Sequence, residues 1–350
     1  MRIADLDYRL PPERVAQEPS PRRDGSRLMV LDRRTERVID TTFDAIGEHL
    51  RPGDLLVLND TRVIPARLRA RKPTGGMVEL LLVARDGGDP EGRTWIGLAS
   101  TSRGLRPGSR LRVAPGFEAE FLGEAGGGRV RLRLHDRDGD PGGALRRHGS
   151  IPLPPYIRRD EGDPREAIDR ERYQTVYARE DGAIAAPTAG LHFTEGLLAS
   201  LRARGIGTVT LTLHVGPGTF QPIRAENVED HRLEPEAFRL SAETAAAIAG
   251  RRALGGRVVA VGTTVVRVLE ASALDDGGVE PGEGWCAAYI TPGHRFRVVD
   301  SLLTNFHLPR TSLLVLVSAF ARRERVLAAY EEAIARGFRF YSYGDAMLIL

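Results

Sequence analysis

Apolar residues recur at helical spacing in several parts of the chain. Leu197, Leu198 and Leu201 share one face of a predicted helix, with Thr194 as its N-cap and Gly205 at its end. The same spacing predicts further helices from about residue 241, at 264–273 and at 323–336.

A different pattern occupies the second quarter of the chain. Five short apolar and β-branched runs are separated by turns rich in Gly, Pro and Asp, with no helical period among them: 78–84, 94–99, 110–113, 117–122 and 129–134. Closely spaced strands of this kind are typical of a small antiparallel sandwich or barrel.

Outside this segment, strands and helices alternate. Buried strands are predicted at 55–58, 208–215 and 257–261, and residues 59–62 are predicted to form a polar turn. The fold class is therefore a mixed α/β protein, in which a discontinuous α/β main domain is interrupted by an antiparallel, all-β, barrel-like domain. We place the main domain at 1–65 and 150–350 and the insert at 66–149.

Composition narrows the possible chemistry. The net charge of +3 and a pI near 9.2 permit a polyanionic partner. Lys72 is the only lysine, so no Gly-x-x-x-x-Gly-Lys phosphate loop can be written. Cys286 is the only cysteine, which fits a reducing cytoplasm. The apolar run 313–321 has about half the length that a bilayer requires, so we predict a buried helix and no membrane span.

Polar and aromatic residues concentrate in five short segments flanked by Gly or Pro: 185–194, 214–222, 262–267, 304–312 and 341–347. Such loops on a rigid scaffold are typical of binding sites. A tight turn or helix cap explains the first and third about equally well, and a bent strand exit is the favoured explanation of the second. In 214–222 the Gly-x-Gly lacks a third glycine and a following helix, so it is not a dinucleotide-binding fingerprint.

Several common catalytic motifs are absent from the sequence. The eight histidines include no His-x-x-x-His pair, so we predict chemistry without a metal. No Gly-x-Ser-x-Gly elbow is present either, which leaves a serine hydrolase unsupported.

Taken together, seven segments in register resemble the S-adenosylmethionine:tRNA ribosyltransferase-isomerase family of queuosine biosynthesis. They are 59–68 (NDTRVIPARL), 153–158 (LPPYIR), 173–178 (YQTVYA), 185–194 (AAPTAGLHFT), 214–222 (HVGPGTFQP), 303–309 (LTNFHLP) and 340–349 (FYSYGDAMLI). The chain departs from the family pattern at Glu234, Val265 and His294, and Thr311-Ser312 reverses a usual order.

The resemblance implies a cytoplasmic, monomeric transferase without a permanently bound cofactor or metal. It implies that S-adenosylmethionine is the co-substrate. Its ribosyl part is transferred and isomerised onto the 7-aminomethyl group of 7-aminomethyl-7-deazaguanine at the tRNA wobble position, giving epoxyqueuosine and releasing adenine and methionine. A general base must take the C5′ proton, and adenine needs a proton as it leaves.

The resemblance also implies the site residues. The catalytic candidates are His192, His214, His307 and Asp345. The substrate-binding candidates are Arg158, Tyr173, Gln174, Thr188, Gly190, Phe193, Gly216, Gly218, Thr219, Phe220, Thr263, Thr264, Arg267, Asn305, Thr311, Ser312 and Tyr343. Among them we expect Phe193, Phe220 and Tyr343 to stack on a base, and we expect phosphate contacts from Arg22, Arg23, Arg158 and Arg159.

Two other classes remain open at this point. A methyltransferase using the same donor would release S-adenosylhomocysteine instead of adenine. A non-catalytic RNA-binding protein would bind tRNA through the β insert without consuming the donor.

Overall fold

The computed structural model describes residues 1–89, 91–101, 104–160, 162–220 and 223–350, with only the backbone described at 219 and 220. The strands are β1 (Arg27–Leu31), β2 (Val38–Thr42), β3 (Leu55–Asn59), β4 (Thr61–Val63), β5 (Arg67–Arg71), β6 (Met77–Arg85), β7 (Thr94–Ser100), β8 (Ser109–Ala114), β9 (Phe117–Gly126), β10 (Arg129–Asp136), β11 (Glu180–Ala183), β12 (Gly207–Leu213), β13 (Glu236–Leu240), β14 (Val258–Val261), β15 (Gly282–Cys286), β16 (Ser301–Asn305) and β17 (Ala346–Ile349).

The α-helices are α1 (Pro141–His148), α2 (Glu166–Arg172), α3 (Glu195–Ala203), α4 (Ala242–Ala253), α5 (Thr263–Ala271), α6 (Ser312–Ala321) and α7 (Arg323–Ala335). Short 3₁₀ helices lie at Ile3–Leu6, Pro12–Arg14, Arg23–Gly25, Phe43–Glu48, Thr188–His192, Pro217–Phe220 and Val228–Asp230.

Nine strands form the main sheet, in the order β15-β13-β12-β3-β14-β16-β17-β1-β2. Strands β12, β3, β14 and β16 are parallel neighbours, whereas β17 runs antiparallel to β16. Helices cover both faces, so the central strands are buried throughout, as β3 and β14 illustrate.

Strands β5 to β10 close a separate antiparallel barrel, in the order β10-β7-β6-β5-β8-β9. Its interior is packed with alternating apolar side chains such as Leu68, Leu80 and Phe117. The predicted fold class is confirmed, and all barrel strands lie inside the predicted insert. The domain limits at 65/66 and 149/150 stay a prediction.

The local helix signals act as the sequence indicates. The Thr194 hydroxyl accepts the Leu197 N–H at 3.0 Å and caps α3, and Gly205 follows the helix with φ +78°. The predicted turn at 59–62 is wrong, because 61–63 form β4, which pairs in parallel with β11.

Candidate active site

Several of the polar segments that carry the resemblance meet at one edge of the main sheet. Because β12, β3, β14 and β16 are parallel, the chain leaves all four at the same edge, at His214, Asp60, Gly262 and Phe306. Strand β17, which is antiparallel to β16, begins there. Ligands of open α/β sheets bind at this edge.

A cleft of about 640 Å³ lies between this edge and the barrel. The main domain contributes His214, Gly216 and Gly218, while the barrel contributes Arg85 and Trp95. Both tryptophans of the chain, three arginines on the barrel side and one exposed glutamate border it: Trp95, Trp285, Arg85, Arg129, Arg146 and Glu234. We call this space the cleft.

His214 stands at the end of β12 with its ring held from two sides. Its Nδ1 lies 2.8 Å from Thr61 Oγ1. The backbone of Gly182 (φ +153°) touches the ring so closely that a Cβ there would lie 2.8 Å from it. Burial lowers the pKa of His214, so the imidazole is neutral near neutral pH. In the described part of the chain, its Nε2 has no hydrogen-bond partner.

A buried ion pair fixes the loop after His214. One carboxylate oxygen of Glu236 accepts the Gly216 N–H at 2.6 Å, and the other pairs with the Arg267 guanidinium. Arg267 also donates to the carbonyls of Cys286 and Ala288, at 3.1 and 3.0 Å. Arg267 therefore holds the loop in place, and its guanidinium is already occupied. The predicted side-chain contacts of Thr219 and Phe220 lie outside the described residues.

His192 is wedged between polar groups in the core. Its Nδ1 lies 2.7 Å from Ser26 Oγ, its Nε2 lies 3.2 Å from Asn305 Nδ2, and its ring stacks on Phe43. Burial lowers the pKa of His192 to about 3. Both nitrogens are occupied, which favours a structural role.

His307 borders a small cavity of about 30 Å³ together with Thr188, Asn305 and Thr311. Its Nε2 lies 2.7 Å from Thr304 Oγ1, and burial lowers its pKa to about 3. Thr311 caps α6 and donates to the Leu308 carbonyl at 2.8 Å. This space is too small for a nucleoside.

Asp345 has both carboxylate oxygens engaged by the backbone. They accept the N–H groups of Arg27 and Arg339, at 3.0 and 2.7 Å. The carboxylate is 2 % exposed. Its geometry joins β1 to the chain before β17 and does not favour proton transfer with a ligand.

Two predicted stacking faces are core residues instead. Phe193 is fully buried and packs edge to face against Phe43. Tyr343 is 3 % exposed, packs edge to face against Tyr173 and donates to Asp169 at 2.8 Å. Because their faces are covered, neither ring is open to a base in this structure.

Two of the predicted phosphate contacts are also engaged internally. Arg159 forms a two-point ion pair with Asp169, and both side chains are nearly inaccessible. Arg23 donates to the carbonyls of Leu191 and Glu171. Arg22 is exposed beside Asp24, and Arg158 is exposed.

The other predicted binding residues mostly shape the backbone. Gln174 binds the Val63 main chain at both ends of its amide. Thr263 and Ser312 are buried first residues of α5 and α6, and the Thr264 hydroxyl accepts from Asn59 at 3.2 Å. At Gly190, a Cβ would lie 2.0 Å from the Tyr177 hydroxyl oxygen.

The three positions that depart from the family pattern, Glu234, Val265 and His294, each make identifiable contacts. Glu234 pairs with Arg129 of the barrel at 2.5 Å, across the cleft. His294 lies 3.2 Å from the buried carboxylate of Glu270. Val265 is a core residue of α5.

Sequence reasoning missed the residues that position His214. Thr61 lies in a quoted motif, but Gly182 and Glu236 carry no local signal because they act through contacts distant in sequence. Trp285, 70 % exposed on β15, was identifiable as one of only two tryptophans.

Neither a membrane-spanning helix nor a metal-binding cluster occurs among the described residues. No helix among them combines the length and apolar character needed to cross a bilayer. They also contain no group of three or more His, Cys, Asp or Glu side chains arranged to hold a metal ion.

Comparison with known proteins places this architecture in a family. The family model described as "Queuosine biosynthesis protein" matches residues 3–349. An Anaeromyxobacter sp. (strain Fw109-5) protein named S-adenosylmethionine:tRNA ribosyltransferase-isomerase is 54% identical, over 100% of this chain and 99% of the relative. A Pelobacter propionicus protein of the same name is 52% identical, with 100% of both chains covered.

A solved structure agrees with these matches. The crystal structure of an S-adenosylmethionine tRNA ribosyltransferase from Thermotoga maritima aligns with a TM-score of 0.54 at 36% identity, over 99% of this chain and 100% of that one. The chain belongs to the queuosine biosynthesis protein family. The family membership predicted from the seven motif segments is confirmed.

Proposed function

We propose that the chain is an S-adenosylmethionine:tRNA ribosyltransferase-isomerase. It moves the ribosyl part of the donor onto the 7-aminomethyl group of 7-aminomethyl-7-deazaguanine at the wobble position, isomerises it to the epoxyqueuosine form and releases adenine and methionine. The relatives' names and the full-length family match support this function.

The observation that carries the proposal is the neutral His214 facing a large cleft. In the tautomer whose Nδ1–H donates to Thr61 Oγ1, Nε2 carries the lone pair, and His214 lines the cleft. We assign His214 as the group that takes the C5′ proton, which the neighbouring sulfonium acidifies. The same nitrogen, once protonated, is suited to hand a proton to departing adenine. The sulfonium later leaves as a neutral thioether, so these steps need no metal.

The size and lining of the cleft suit two substrates at once. About 640 Å³ lies in the range of ligand pockets and accommodates a donor nucleoside beside a splayed-out base. Arg85 and Arg146 are suited to backbone phosphates, and the exposed ring of Trp285 is suited to stacking. The enzyme is proposed to act on tRNA in the cytoplasm as a monomer.

Product analysis tests this function. The protein is incubated with S-adenosylmethionine and tRNA carrying the aminomethyl base. Free adenine, methionine and a mass gain on the tRNA are expected. S-adenosylhomocysteine as product would establish the methyltransferase instead, and tRNA binding without donor consumption would establish a binding protein.

Gly182→Ala tests how the His214 ring is held. The added Cβ would lie 2.8 Å from the ring, so the imidazole must move, and kcat is expected to fall by about tenfold or more. Gly53→Ala is the matched control, since Gly53 also has a positive φ, of +97°, but open space around its Cβ position. Equal adenine release rates in the two variants would contradict the proposed positioning.

Trp285→Ala tests stacking in the cleft. Loss of one base-stacking ring is expected to weaken binding of an anticodon stem-loop RNA by about tenfold, measured by filter binding or anisotropy. Leu254→Ala removes a similarly exposed apolar side chain, 82 % accessible, and is expected to leave the affinity unchanged. Unchanged affinity in Trp285→Ala would place the RNA elsewhere.

The affinity of the unaltered chain for the RNA should also fall steeply with added salt.

A further inference from the structure

A second cavity, of about 510 Å³, lies at the opposite edge of the main sheet from the cleft. Residues at or just before the starts of β3, β14 and β16 line it, among them Arg51, Arg257 and Ser301. The parallel strands leave at the cleft, so their starts lie across the sheet, roughly 16 Å away for a strand of about five residues. This space, which we call the arginine cavity, is therefore separate from the proposed active site.

The charges around the arginine cavity are unequal. Six arginines line it, namely Arg33, Arg34, Arg51, Arg257, Arg322 and Arg325, against two carboxylates, Asp32 and Asp300. Asp32 accepts the backbone N–H of Arg34 at 2.8 Å, and Asp300 accepts that of Val258 at 2.8 Å. Burial lowers the pKa of His49, also in the wall, which leaves it neutral near neutral pH.

Three of the six arginines are already engaged. Arg33 donates to the main-chain oxygens of Asp300, Phe320 and Leu350, Arg257 pairs with Asp54, and Arg325 pairs with Glu36. For Arg34, Arg51 and Arg322, the described structure provides no hydrogen bond or ion pair to the guanidinium. Three exposed arginines without a hydrogen-bonded partner therefore border one cavity, with Arg34 near the charge of Asp32 and Arg322 near that of Glu324.

Helix α7 opens on the same space. The helix has 13 residues, and the side chain of its N-cap residue, Arg322, does not cap the first-turn N–H groups. A helix start favours an anion, and the carboxylate of Glu324 in the first turn supplies part of that negative charge.

A buried hydroxyl supplies independent support. Ser301 lines the cavity, is 1 % exposed, and its Oγ has no hydrogen-bond partner in the described structure. A buried hydroxyl without a partner costs free energy, and a small shift of the cavity wall that lets a bound acceptor reach Oγ would remove that cost.

We propose that the arginine cavity binds a phosphate group, with Arg51 and Arg322 contacting its oxygens beside the start of α7 and Ser301. The phosphate comes from either of two sources: a small phosphorylated molecule or the backbone of a bound tRNA. Guanidinium groups and helix N-termini share this ligand preference. This site does not depend on the proposed reaction.

Calorimetric titration of the full chain with inorganic pyrophosphate tests the proposal. Arg51→Gln and Arg322→Gly are each expected to weaken binding by about tenfold, the loss of one charge-assisted contact. Arg322 has φ +63°, a conformation that glycine adopts without strain, so Arg322→Gly should keep the fold. Ser301→Ala should weaken binding less.

Arg106→Gln, in an exposed turn of the barrel, is the matched control and should bind pyrophosphate like the unaltered chain. Competition with tRNA separates the two sources: displacement of pyrophosphate supports a backbone phosphate, and binding alongside tRNA supports a small molecule. Absence of pyrophosphate binding, or equal affinity in Arg51→Gln, Arg322→Gly and Arg106→Gln, would overturn the proposal.

Discussion

Replacing His214 with asparagine is expected to lower the single-turnover rate of adenine release by about 10²- to 10⁴-fold, the usual contribution of a general base. Asparagine is of similar size and keeps a hydrogen bond to Thr61 within reach, so binding of the donor and the RNA should remain. Rapid-quench analysis of adenine measures the effect.

His135→Asn is the control for this substitution. His135 lies in the barrel and bonds Glu120 at 2.7 Å, so its loss should leave the rate unchanged. In the unaltered enzyme the rate should be flat above pH 6.5 and fall only at lower pH, because burial lowers the pKa of His214 and keeps it neutral. A His214→Asn enzyme with the full rate would remove His214 from the mechanism.

The second large effect concerns stability in mild acid. The pKa values of His192 and His307 are about 3 in the folded chain and 6.5 in a free side chain, so between these values the unfolded chain binds more protons. The free energy of unfolding should therefore fall as pH drops below 6.5, by about 1.4 kcal/mol per pH unit for each histidine. At pH 5 the two together cost about 4 kcal/mol relative to pH 7.

Urea unfolding of His307→Gln at pH 7 and pH 5 isolates one of these contributions. From pH 7 to pH 5 its free energy of unfolding should fall less than that of the unaltered chain, by about 2 kcal/mol, which is half of the combined cost. Identical slopes in His307→Gln and the unaltered chain would show that His307 is not held neutral by burial.

Local signals in the sequence predict much of the fold. The α3 cap at Thr194, the start of α4 after Ser241 and the five predicted barrel runs depend on neighbouring residues, so a single sequence suffices for them. The barrel's β5 was missed because Arg67–Arg71 alternates arginine with apolar residues in a short run. The last two strands at one end of the main sheet, β13 and β15, were missed because their pairing is distant in sequence.

The site was less predictable for the same reason. The motifs identify His192, His214 and His307 equally, and only their surroundings distinguish them. His192 has both nitrogens engaged by Ser26 and Asn305, whereas His214 lines the cleft and has a described partner only at Nδ1. The Glu236–Arg267 ion pair likewise depends on β13 lying beside the loop after β12.

The most direct test is a structure of the chain with S-adenosylmethionine and an anticodon stem-loop RNA bound. We expect the donor's C5′ carbon within hydrogen-bonding reach of His214 Nε2, with the splayed-out base in the space between the barrel and β12. A donor seated beside His307, or one whose C5′ lies far from every atom of His214, would contradict the proposed mechanism.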